Sequence, residues 1–162
     1  MRKKLVKQIM SNLDNNKALD INSLSLKGKS DIADYLIIAT GTSNRHVSSL
    51  AEKTVDDLKK NNIKNVNTEG LDKGDWVLID GGDIIIHLFR EEVRDWLAND
   101  YPKHVKEKTD QDISISKQDL IDFHKALSKK GWMGYNWPKE YGGTGWSASK
   151  LYIFNKELGL AG

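Results

Sequence analysis

GDWVLIDGGDIIIHLF, residues 74–89, consists of two apolar, β-favouring runs separated by Gly81-Gly82, the pattern of a β-hairpin. Two glycines between such runs suit a two-residue primed turn, because both positions take positive φ at little cost. That turn would set a register in which Asp80 faces Asp83, Ile79 faces Ile84, Leu78 faces Ile85, Val77 faces Ile86 and Trp76 faces His87. Side chains alternate across a sheet, so Val77, Ile79, Ile84 and Ile86 share one face and Trp76, Leu78, Asp80, Asp83, Ile85 and His87 the other. The first face reads as core. The second is apolar in its middle and acidic at the turn end, so it is either half-covered by a helix or a surface that meets a partner.

Outward from the hairpin, YLIIA at 35–39 is a continuous apolar run that suits a strand buried on both faces. After Thr40-Gly41 the period changes: Val47, Leu50, Ala51, Thr54, Val55 and Leu58 form one helical stripe, with Thr42 or Ser43 as N-cap and Asn61-Asn62 at its end. Residues 2–16 space Leu5, Ile9 and Leu13 by fours, which predicts an amphipathic helix. Weaker alternation predicts strands over 21–26 and 63–68, and Val93 with Leu97 predicts a helix over 90–99. These elements give an α/β domain, residues 1–99, with a mixed sheet flanked by helices. Residues 100–115, with Pro102 and KHVKEKTDQD, read as a linker. Residues 116–162 then read as two helices. One runs over 117–130, with Ser116 as cap, Asp119 at N3, apolar Leu120, Phe123 and Leu127, and Gly131 as stop; the other begins near Ser147 and carries Leu151, Phe154 and Leu158. The intervening GWMGYNWPKEYGGTGW is a glycine-rich aromatic loop.

Composition narrows the function classes. Charged residues are 30% and hydrophobic ones 38%, and no apolar run approaches the roughly 20 residues of a spanning helix, so a cytosolic chain without membrane partners is expected. The basic MRKK start lacks the apolar core of a signal peptide. A net charge of +2 is too mild to suggest binding to DNA by bulk phosphate neutralisation, and any RNA nearby is expected to be reached through a protein. The absence of cysteine removes thiol nucleophiles, disulfides and thiolate metal sites.

Several residues invite a catalytic reading. Thr40-Gly41-Thr42-Ser43 at a strand-to-helix turn could cradle a phosphate, as in nucleotidyltransferases. The paired carboxylates of phosphoryl transfer are not placed for it, however, and Asp31, Asp34, Asp80 and Asp83 read as capping or turn aspartates. His87 has no nucleophile positioned beside it, so the reading is a partner-binding face. Its anchors are Trp76, Leu78, Ile85 and His87; its polar rim is Glu69, Asp80 and Asp83, with Arg45 as a further contact in a helix first turn, where the dipole disfavours a cation. No metal and no cofactor are expected. An open sheet edge or the apolar hairpin face could also pair two copies of the chain. Trp132, Trp137, Tyr141 and Trp146 could imitate a base-stacking platform; the plainer expectation is an exposed apolar patch on a loosely attached tail.

DIADYLIIATGTSNRHV at 31–47, EG at 69–70, GDWVLIDGGDIIIHLF at 74–89 and EEVR at 91–94, taken in order, resemble the RsfS/Iojap family of ribosomal silencing factors. The likeness covers about residues 1–95. It implies a nucleotidyltransferase-like α/β fold that docks on the fourteenth protein of the large ribosomal subunit, blocks joining of the small subunit and represses translation under nutrient limitation. From Phe89 onward, FREEVRDWL, GWMGYNWPKEYGGTGW and KLYIFNKELGLAG resemble the extreme N-terminal part of acyl-CoA dehydrogenases. LFREEVRDW fits both families and marks a point where two sequences meet. The flavin-binding and catalytic parts of a dehydrogenase lie in later domains that have no counterpart here.

Overall fold

The computed structural model describes residues 2–28, 33–99, 102–111, 113–114 and 116–161, without the side chains of 96–99, 106, 109, 110, 153 and 156–161. The chain divides into two compact units, Met1–Arg94 and Asp95–Gly162.

In the first unit α1 (Arg2–Asn15) leads into β1 (Leu19–Ser25) and β2 (Tyr35–Gly41), followed by α2 (Asn44–Lys60), β3 (Asn67–Glu69), β4 (Trp76–Asp80) and β5 (Ile84–Arg90). The sheet is mixed, in the order β1-β2-β5-β4-β3; β2 and β5 are parallel and the other neighbours antiparallel. The parallel pair lies at the centre, which explains why YLIIA and IIIHLF are apolar at successive positions: both of their faces are buried. Val6, Ile9 and Leu13 of α1 and Val47, Leu50, Ala51 and Leu58 of α2 pack with Ile37, Ala39, Val77, Ile79, Ile84, Ile86 and Leu88 into one aliphatic core. Each large side chain buried there contributes about 1.5–3 kcal/mol of transfer free energy. Both helices end alike. Lys17 and Asn62 take φ of +65° and +63°, and the next residues, Ala18 and Ile63, donate N–H bonds back to Leu13 and Leu58 at 3.0 Å.

The hairpin differs from the sequence expectation. Asp80 pairs with Ile85, Ile79 with Ile86, Leu78 with His87, Val77 with Leu88 and Trp76 with Phe89, two residues away from the register predicted for a Gly-Gly turn. The turn is a longer loop: the Gly82 N–H donates to Asp80 Oδ1 at 2.8 Å and the Gly81 N–H to the Ile84 carbonyl at 3.0 Å. An aspartate accepting from the backbone two residues on is a self-contained turn former. It displaces the glycine pair from the two central positions. A shift of two preserves the alternation, so the assignment of side chains to faces stands.

In the second unit, which begins at Asp95 within α3 (Glu91–Asn99), α4 (Lys103–Asp110) forms where the sequence suggested an unstructured linker. Among the side chains described there Val105 is buried, and the many lysines and acids of KHVKEKTD hide any apolar periodicity in the sequence. Next come α5 (Lys117–Lys129), a short 3-10 turn at Lys139–Tyr141 and α6 (Ala148–Ala161). Ser116 and Asp119 form the expected reciprocal capping box, and Gly131 at φ +70° ends α5. Leu120, expected to be inward, is exposed; Leu127 and Phe154 are buried. The side chain of Leu158 lies outside the described residues, as do those of Leu97 and the whole of Asp31.

Candidate partner-binding surface

The proposed anchors are brought together on the sheet face opposite α1 and α2. Trp76, Leu78, Ile85 and His87 are joined there by Phe89 and by Leu36 and Ile38 of β2. The Trp76 indole N–H donates to His87 Nδ1 at 2.9 Å across the strand diagonal, which leaves the ring proton of a neutral His87 on Nε2. Trp76 stacks on Phe89 with centroids 4.9 Å apart, and the His87 ring lies 6.1 Å from Phe89 at an interplanar angle of 20°. Sequence reasoning missed Phe89 because the shorter turn left it beyond the end of the ladder.

The expectation that these anchors stand exposed is corrected. In the full chain Trp76, Leu78, Ile85 and His87 are 3%, 4%, 3% and 0% exposed. The observed register places Trp76 directly against Phe89 and Leu78 against His87 as cross-strand neighbours. The rim also differs from a free acidic edge. Asp83 pairs with Arg2 at 2.5 Å and Arg2 reaches Asp34 at 2.6 Å, while Asp80 is half-buried and holds its own turn. Glu69 closes β3, half-buried and opposite Leu78. Arg45 lies exposed in the first turn of α2, away from the anchor face at the other end of β2.

The strand-to-helix turn at Gly41 is used internally. A Cβ on Gly41 would lie 2.7 Å from Val47 Cγ2, so this glycine seats α2 against β2. Ser43 caps the helix by accepting from the His46 N–H at 3.2 Å, and the Thr42 N–H donates to His46 Nδ1 at 3.1 Å. His46 Nε2 then bonds the Asn16 carbonyl at 2.8 Å, fastening α2 to the end of α1. Two of the turn's polar groups that a phosphate would use are thus already engaged. Nearby, Arg90 contacts Asn44, Asp75 and Glu92, and Arg94 donates to Thr40 Oγ1 at 2.6 Å. This network ties the C-terminal ends of β2 and β5 to α2; the sequence offered no signal for it.

In the second unit Trp132, Tyr135 and Trp146 surround Phe154 with ring centroids 4.8–5.5 Å away. The expected exposed patch is therefore half right: Trp137 and Tyr141 are exposed, and Trp132 and Trp146 are packed.

The family described as "Ribosomal silencing factor during starvation" matches residues 1–119. The chain belongs to the RsfS family. The match extends beyond residue 95, further than the quoted motifs reach, and it overlaps a second one, to "Acyl-CoA dehydrogenase, N-terminal domain", over residues 86–162. The ribosomal silencing factor of Zymomonas mobilis is 44% identical over 112 residues, covering 69% of this chain and 84% of that protein. The Haemophilus influenzae silencing factor is 37% identical, covering 56% and 89%. The mouse "Mitochondrial assembly of ribosomal large subunit protein 1" is 31% identical over 56% of this chain and 41% of its own length. A crystal structure of a Chromobacterium violaceum protein superposes with a TM-score of 0.55 at 33% identity, covering 58% of this chain and 78% of that one. These RsfS relatives place the chain in ribosome-linked control of translation.

Proposed function

We propose that this RsfS-family chain represses translation by occlusion: it docks in the cytosol on the large ribosomal subunit through that subunit's fourteenth protein and blocks joining of the small subunit when nutrients are limiting. No bond is made or broken in this reading. The observation that carries it is the second apolar face of the sheet. α1 and α2 already complete one core, yet the opposite face bears an ordered set of anchors in Trp76, Leu78, Ile85, His87 and Phe89, bordered by the acids of the hairpin end. Aromatic anchors inside a polar rim are the usual anatomy of a binding hot spot. Because the anchors are buried in the full chain, docking through them has to uncover them, and a basic partner would compete with Arg2 for Asp83. Away from the ribosome, the same face or the β1 or β3 edge pairs two copies.

The deciding experiment is co-sedimentation with isolated large subunits of the full chain and of a chain ending at Asn99. Binding by both supports docking with the later residues as passengers; binding by the short chain alone means that those residues suppress docking. If neither pellets with the subunit, the proposal fails.

A further inference from the structure

Four cations, Arg2, Lys3, Lys4 and Lys7, stand in the first seven residues, with no acid before Asp14. A chain of net charge +2 thus has a strongly basic corner that its total conceals. The fold sorts these cations. Val6, Ile9 and Leu13 turn α1 toward the core, so Lys4 and Lys7 at i, i+3 and Lys3 and Lys7 at i, i+4 lie together on the solvent side, and all three are exposed. Arg2 points the other way and grips Asp34 and Asp83. No ion pair joins Lys3, Lys4 or Lys7 to an acid among the described residues. Their position is unfavourable for the helix on its own: like charges one turn apart repel, and cations at a helix start oppose its dipole.

The ion pair to Asp83 fixes the place of this corner. It fastens the start of α1 to the turn end of the β4–β5 hairpin, the acidic end of the proposed docking face. We infer that Lys3, Lys4 and Lys7 form an RNA-backbone contact, engaging phosphates of the large-subunit RNA while the hairpin engages protein. This rests on the docking reading and adds its second partner. Lysine suits the task because its compact ammonium contacts phosphates as a point charge without demanding base identity. The contact supplies salt-sensitive affinity and orientation, not sequence recognition.

The test measures affinity of the chain for large subunits by sedimentation over a series of salt concentrations. Beside the wild type stand K3Q/K4Q/K7Q and a control, K59Q/K60Q/K64Q, which removes three exposed lysines from and beyond the end of α2. Each phosphate contact contributes roughly 0.7–0.9 to the slope of log affinity against log salt, so the α1 variant should flatten that slope by about 2 and bind about tenfold more weakly at low salt. The control should keep the wild-type slope. Equal slopes for the wild type and the α1 variant, or equal flattening by the control, overturn the inference. Absence of wild-type binding at every salt defeats the docking reading itself, which is a separate result. A p-azidophenylalanine at the outward Gln8 identifies the partner: a ribonuclease-sensitive adduct supports the contact, and an adduct to a ribosomal protein overturns it.

Discussion

The two units bury apolar surface in different ways. Met1–Arg94 closes an aliphatic core between two helices and a five-stranded sheet, and among its described residues the exposed large hydrophobics are Leu19 and Leu24 at one sheet edge. In Asp95–Gly162 Leu127, Val105 and Phe154 are buried, Phe154 among aromatic rings, while Ile113, Leu120, Ile121, Met133, Trp137 and Tyr141 are exposed. A sheet offers one large flat face for helices to cover; a few short helices have no such common plane, and a unit of this size completes its core with difficulty.

The contrast can be broken at its centres first. Phe154→Ala should cost about 3–5 kcal/mol and abolish the near-ultraviolet circular dichroism of the Trp132–Trp146 pair; an unchanged spectrum would mean that the aromatic shell does not depend on its hub. Ile86→Ala should cost about 2–5 kcal/mol in urea unfolding, because its cavity opens between β5 and the helices where nothing can collapse into it. Trp76→Phe keeps the ring stack and removes the donor to His87 Nδ1, which should cost about 1–3 kcal/mol; a neutral result would show that the bond adds nothing beyond packing.

Acid should act on the second unit through Asp119. The Lys108 ammonium, then the Ser116 hydroxyl and N–H, hold the Asp119 carboxyl well below its ordinary value of 3.8. A carboxyl depressed in the folded state stabilises fully above its unfolded value, and the benefit fades as pH falls below it. Tryptophan fluorescence of the second unit should therefore begin to change below about pH 4, and Lys108→Met, which removes the largest of these causes, should shrink that acid-dependent change. The smallest effect is expected at Asp83→Asn, within about 1 kcal/mol, because its ion pair with Arg2 is half exposed on both sides.

Helices with a continuous apolar stripe were legible from the sequence, as was the doubly buried β2, because 3.6-residue and unbroken apolar patterns have few structural solutions. The hairpin register was not. Gly81-Gly82 satisfied the rule for a two-residue turn, but the Asp80 carboxylate captures the Gly82 N–H and lengthens the loop, a competition between side chain and ladder that periodicity cannot see. The membership of the anchor face survived the error while its exposure did not, since alternation says which residues share a side and nothing about what lies over it. Helix α4 was hidden because Val105 is its sole apolar residue. Trp132 and Trp146 were read as surface residues because they meet Tyr135 and Phe154 through loop geometry, not through any repeat along the chain.

The hairpin loop carries a consequence for natural variation and for engineering. A two-residue insertion or deletion between Asp80 and Ile85 slides β4 along β5 and leaves every side chain on its own side, whereas a single-residue change would turn one strand over and present Val77 and Ile79 where Trp76 and Leu78 now lie. Length changes in this loop should accordingly be accepted in pairs and rejected singly, unless a bulge absorbs the odd residue.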